Sequence, residues 1–278
     1  MTEVQKAILD IFVHIQDLCK RNDIPYYAVA GTCLGAIRHH GFIPWDDDID
    51  IAIPIQDFDR FLTLAESELP DHLKVFRSDR TQHFRRIYAK IHNVNTTSIE
   101  DETLKYKDAH TGVWVDVLPL ASFPVGKVGR RLFQLKILYY FGMNYLNRYP
   151  YEDMGNALKK AAWLLTRPLC AGKKYTYYSE KCLRLLSRYP LGSTELTGGY
   201  VWWRHKGDLT ISMDCFRSTV TVPFESTTIE CPVGYDAYLT MRFGDYMQPP
   251  PPEKRRDHNQ VYVDLNHSYK DFSPPEKK

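Results

Sequence analysis

Two aspartates one residue apart, Asp48 and Asp50, lead an alternating run in which Ile49, Ile51 and Ile53 are the apolar members. In an extended chain, residues i and i+2 leave the same face about 7 Å apart, so the two carboxylates stand together while the isoleucines enter a core. Adjacent anions repel unless a cation lies between them, and paired oxygen ligands suit Mg²⁺ or Mn²⁺ better than zinc. Asp116 repeats the pattern between Val115 and Val117, on another apolar run where an acid needs a partner. Three carboxylates on neighbouring strands can hold one or two divalent ions, whose open positions take phosphate oxygens. The blander reading is a solvated turn at Asp46-Asp47-Asp48. It loses force for Asp48 and Asp50, because the acids continue straight into an ordered strand, and stays open for Asp46 and Asp47.

Upstream, Gly31-Thr32-Cys33-Leu34-Gly35 lies between a short apolar strand over 26–30 and a helix-compatible stretch over 33–40. At such a junction, backbone N–H groups and the helix dipole can receive phosphate, which makes Gly31, Thr32 and Gly35 candidate contacts. The string is neither a Walker loop nor G-x-G-x-x-G, and glycines there can equally be backbone accommodation. Arg38 and His39 put positive charge near the same mouth, or are exposed helix residues. Lys90, in a strand-like run over 85–91, is a phosphate contact or a solvated lysine. Arg255, Arg256 and His258 follow the proline run 249–252; they close the site, or form a basic tail after a polyproline spacer.

The elements that must position these groups follow from periodicity. Thr2 and Gln5 form a capping-box-like start to an amphipathic helix with Val4, Ile8, Ile11, Phe12, Ile15 and Leu18 on one face. Strand patterns at 48–53, 73–76, 85–91 and 113–117 alternate with a helix over 57–69, which predicts an α+β fold: a mixed sheet flanked by helices. From 129 to 187 the texture changes to interleaved aromatic and basic residues in two helical stretches, 130–146 and 156–186, read as an inserted helical subdomain. The expected organisation is a catalytic core over 1–124, a helical insertion over 125–190, and a part over 191–278 completing the same unit.

With 278 residues, 44% apolar, the chain can bury a substantial core, and 36 basic against 34 acidic residues predicts no nucleic-acid partner recruited by overall charge. Six well-separated cysteines without a C-x-x-C pair predict reduced, buried thiols. The first residues lack the pattern of an export signal, and the longest apolar stretch, 137–146, falls far short of the roughly 20 residues that cross a bilayer. A cytoplasmic protein is expected.

The whole string from Ala30 to Asp50, AGTCLGAIRHHGFIPWDDDID, resembles the signature of the LicD family, which includes the fukutin-related proteins. GVWVDVLPL over 112–120 resembles the family's second block, and FGDYM over 243–247 followed by prolines resembles its C-terminal one. The resemblance implies a nucleotidyltransferase-like fold in which Gly31-Thr32 precedes an Asp-x-Asp strand at Asp48 and Asp50, and Asp116 completes the metal site. It further implies transfer of phosphocholine or a similar phospho-alcohol from a CDP-activated donor such as CDP-choline to a glycan or lipid-linked glycan acceptor. In-line displacement would release CMP, with Asp116 also helping to deprotonate the acceptor hydroxyl. Two other readings remain open: a nucleotidyltransferase that releases pyrophosphate, and a catalytically silent metal-binding scaffold. The basic and apolar mixture over 130–178 is either a helical hairpin covering the core or a peripheral contact with the inner face of the cell membrane.

Overall fold

The computed structural model describes residues 1–198, 210–255 and 260–273. Helix α1 (Glu3–Arg21) opens with the capping box made in full: Gln5 N–H donates to Thr2 Oγ1 at 3.1 Å, and Thr2 N–H donates to Gln5 Oε1 at 2.8 Å. Its buried stripe, Ile8, Ile11, Phe12, Ile15 and Leu18, recurs at helical spacing.

The strands at the centre lie in the spatial order β1 (Tyr27–Ala28), β2 (Asp50–Pro54), β6 (Trp114–Phe123), β4 (Ala89–Asn93) and β3 (Leu73–Arg77). Only β2 and β6 run parallel; the remaining neighbours are antiparallel, so the sheet is mixed as expected. β6 is buried along its whole length. Its far half pairs with β7 (Leu196–Gly198), which in turn pairs with β8 (Ile211–Ser212). Helices α1 and α3 (Ile55–Glu68) pack on the sheet, and Ile51, Ile53, Ile91, Val115 and Val117, all essentially inaccessible to solvent, fill the core. Each such side chain contributes about 1.5–3 kcal/mol on burial. Pleating sends Asp50, Lys90, Trp114 and Asp116 to the opposite face.

Helix α2 (Ala30–His39) follows β1, and the hairpin β9 (Thr219–Phe224) and β10 (Thr227–Pro232) lies against both. Helix α7 (Tyr235–Phe243) contacts α2. β5 (Thr97–Glu100) pairs with β11 (Gln260–Asp264). All six cysteines are free and buried.

Helices α4 (Lys127–Arg148), α5 (Ala157–Cys170) and α6 (Tyr177–Leu186) form the helical segment. Phe133 and Ile137 of α4 and Cys182, Leu185 and Leu186 of α6 belong to the main core, while Met143, Cys170 and Tyr178 make a small satellite. The buried Arg148 ties α4 to the loop before β4, donating to the carbonyls of Ser78 at 2.7 Å, Thr81 at 2.6 Å and Gln82 at 2.9 Å.

Several element boundaries differ from the sequence expectation. α2 begins at Ala30, so Gly31 to Gly35 sit within its first turns instead of ahead of them; Ala30 takes φ 51°, a left-handed turn costing about 1–2 kcal/mol, with its N–H held by Tyr238 Oη at 2.9 Å. The run expected over 85–91 enters the ladder only at Ala89, because Arg85 and Arg86 turn to acids on another segment. The stretch 156–186 is two helices, broken around Gly172 at φ 71°.

Candidate active site

Parallel pairing places Asp50 directly opposite Asp116, so both carboxylates leave the sheet on one face. Asp48 joins them from just ahead of β2, and oxygens of the three side chains lie within 4.8 Å of one another. The strand thus starts two residues later than its alternation indicated, while Asp116 N–H still donates to the Ile49 carbonyl at 2.8 Å, carrying the pairing back toward Asp48.

Asp48 is only 9% exposed and Asp116 8%. Asp116 Oδ1 is buried with no hydrogen-bond partner. A desolvated carboxylate oxygen left in that condition costs more than about 1–3 kcal/mol, the figure for an uncharged group. Burial, the largest influence, raises the Asp116 carboxyl to about 6; the charges of Asp48 and Glu100 add to the rise, and Lys90 and Arg86 oppose it. Three converging oxygen donors, one of them unsatisfied, fit a hard divalent cation such as Mg²⁺ or Mn²⁺.

Behind the carboxylates stands a charge network. Lys90 pairs with Asp116 in the β4–β6 register, is 1% exposed, and places its Nζ 2.7 Å from Glu100 and 3.5 Å from the centre of the Trp114 ring. It is therefore an internal counter-charge and not the solvent-reachable phosphate contact that a strand-edge lysine would make. Arg86 joins Glu102 at 3.0 Å and Glu100 at 3.6 Å, and Arg85 also pairs with Glu102. Although burial works against its charge, Tyr88, Glu102, Glu100 and Asp116 together hold the Arg86 guanidinium above its ordinary value. Arg86, Glu100 and Trp114 are site residues that the sequence reading passed over. The Arg-Arg doublet was visible, but ion pairs made across 14 to 17 positions have no local signature.

The signature loop is positioned by close approaches. A Cβ on Gly31 would stand 2.6 Å from Asp46 Oδ2, so this glycine admits the Asp46 carboxylate beside the start of α2. Gln5 Nε2 donates to the Asp46 carbonyl at 2.8 Å, fixing that corner from α1. Thr32 Oγ1 accepts the Asp50 N–H at 2.8 Å and so aligns the carboxylate strand. A Cβ on Gly35 would meet the Gly41 carbonyl at 2.5 Å, which makes Gly35 a packing glycine against the chain over 41–43. In the second block, a Cβ on Gly112 would lie 1.8 Å from the Asn93 carbonyl oxygen.

The first and C-terminal sequence blocks meet through Arg38, and Trp45 meets the segment after the prolines. Arg38 donates to the Tyr246 carbonyl at 2.6 Å and to His39 Nε2 at 2.9 Å. Burial, followed by the charges of Arg38 and His40, holds His39 below its ordinary value. The Arg255 guanidinium lies 4.4 Å from the centre of the Trp45 ring, whose edge also meets His39. His258 and Arg256 lie outside the described residues.

The site is thus a mixed sheet carrying three converging acids next to a glycine-bearing helix start. Residues 23–128 match the family model described as LicD/FKTN/FKRP, nucleotidyltransferase domain, and this domain belongs to the LicD family. The chain is 26% identical over 268 residues to the lipopolysaccharide cholinephosphotransferase LicD of Haemophilus influenzae, covering 93% of this chain and 96% of that protein. A shorter match, 43% identical over 49 residues, covers 17% of this chain and 11% of the ribitol-5-phosphate transferase FKTN of Mus musculus. An uncharacterized protein of Rickettsia prowazekii is 51% identical over 51 residues, 18% of this chain and 19% of that one.

Proposed function

We propose that the chain transfers a phospho-alcohol, phosphocholine being the first candidate, from a CDP-activated donor to a hydroxyl of a cell-surface glycan or its lipid-linked precursor. The convergence of Asp48, Asp50 and Asp116 on one face of a LicD-family domain is the observation that carries this reading. The named relatives, a cholinephosphotransferase and a ribitol-5-phosphate transferase, support transfer of a phosphorylated alcohol.

In this scheme the acceptor oxygen forms a bond to the donor's terminal phosphorus, the bond from that phosphorus to the oxygen of CMP breaks, and the hydroxyl proton passes to a site carboxylate. Asp48, Asp50 and Asp116 hold Mg²⁺ or Mn²⁺, which when bound offsets the charge gathering on the leaving phosphate. Lys90 and Arg86 oppose from behind, through the low-dielectric interior, the rise that burial gives the Asp116 carboxyl. Thr32 and Gln5 hold the backbone of Asp50 and Asp46, so the carboxylates are in place before a donor arrives. Because the donor is a nucleotide conjugate, we place the reaction on the cytoplasmic side of the cell envelope.

Incubating the protein with CDP-choline, Mg²⁺ and glycan acceptors should release CMP and label the acceptor with phosphocholine. Pyrophosphate from CTP with no CMP from any CDP-linked donor would replace this reading by the nucleotidyltransferase one.

A further inference from the structure

Helix α4 is apolar on both sides. Phe133 and Ile137 face the core, while Val128, Leu132, Leu135 and Tyr139, at i, i+4, i+7 and i+11, form a second stripe turned to solvent. This outer stripe runs about 16 Å along the helix. Helix α5 goes further: Cys170 is its only buried residue, and Leu158 and Leu165 are 81% and 80% exposed. A hairpin made only to cover the core would turn these leucines inward.

The surrounding charge says what such a surface meets. Residues 127–174 hold ten Lys or Arg against Glu152 and Asp153 alone, a net of +8 within a chain of net +2, which leaves the remainder acidic. Several of these cations lie along aromatic rings: Lys159 over Tyr145, Lys160 over Tyr151 and Arg167 over Trp163. Apolar side chains flanked by cations with long stems are the composition that settles at the headgroup boundary of a negatively charged membrane. No helix among the described residues is long and apolar enough to cross one.

We propose that the outer faces of α4 and α5 dock this protein on an anionic lipid bilayer, lying in the headgroup layer without spanning it. The inference stands apart from the transfer reaction, although a lipid-linked acceptor would gain from it. Docking also connects physically to the site. The core side of α4 carries Arg148 and Asn144, which bind the backbone of the loop ending at Arg85, and Tyr145 lies against the Arg85 guanidinium.

Flotation of the whole protein with vesicles tests the proposal. The protein should rise with phosphatidylglycerol–phosphatidylcholine vesicles at low salt, weakly with phosphatidylcholine alone, and less as salt is raised. The double variant Leu158→Glu, Leu165→Glu should lose at least about tenfold in vesicle affinity while keeping its melting temperature and its CMP release with a soluble acceptor. Failure of the unaltered protein to float, or equal flotation of the variant, overturns the proposal. So does a concentration-dependent dimer that the same substitutions dissolve, since that would make the face a contact between copies. Flotation of the unaltered protein with no CMP release from it would instead count against the proposed reaction.

Discussion

The carboxylate face of the sheet and the outer face of α4 and α5 break the ordinary rule of burial in opposite senses. At the first, charged oxygens are withdrawn from water and one of them, on Asp116, is left without a partner. At the second, leucines that could have been buried stand in water. Neither condition lowers the free energy of the isolated chain: the first forfeits hydration and the second forfeits burial. On the two readings proposed above, each is completed by something outside the folded chain, a divalent ion and phosphate at one place and a lipid surface at the other.

This contrast can be broken or sharpened by substitution. The largest effect is expected at the carboxylates: Asp50→Asn or Asp48→Asn should cut CMP release by about a thousandfold or more, with the circular dichroism spectrum unchanged, because removing a repelling anion leaves the apo fold undisturbed. Full activity in either variant would remove the metal site. Next, Lys90→Met should destabilise the protein by about 2–4 kcal/mol in urea, since it leaves Arg86 alone to offset Glu100 and Asp116.

Asp116→Asn should separate function from stability. With its carboxyl raised to about 6, Asp116 is protonated in the folded metal-free protein at pH values where the unfolded chain, near 4, has already lost the proton. The contribution of Asp116 to stability should therefore fall as pH rises from about 4 to about 6 and stay lower above that. The Asn variant should lack this slope and, without metal at pH 8, exceed the parent by about 1–3 kcal/mol while losing turnover. A parent protein that instead gains stability relative to the Asn variant across that interval would contradict the buried carboxylate with its unpartnered Oδ1. The smallest effect belongs to the outer helices: Leu165→Ala should cost under about 0.5 kcal/mol, whereas Ile137→Ala, on the inner side of α4, should cost about 2–5 kcal/mol. Equal costs would mean that the outer stripe is packed against something.

Much of this was legible along the chain, for reasons that are local. Alternation marked the strand bearing Asp50 and that bearing Asp116, and 3.6-residue spacing marked α1 and α3, because each pattern reports only how successive side chains point. The capping box at Thr2 and Gln5 needs four consecutive residues and nothing else. Less legible were features that depend on a distant partner. The start of α2 at Ala30 relies on Tyr238, more than two hundred positions away, and the departure of Arg85 and Arg86 from the strand relies on Glu100 and Glu102.

The amino-acid order by itself therefore singled out Asp48, Asp50 and Asp116 as candidate acids at or beside apolar strands, since residue type and period are properties of short stretches. Only the tertiary structure decided that Asp50 and Asp116 are register partners, that Lys90 is sealed behind them, and that the leucines of α5 face outward. Those outcomes turn on strand pairing and burial, which are set by segments far apart in the chain competing for the same core.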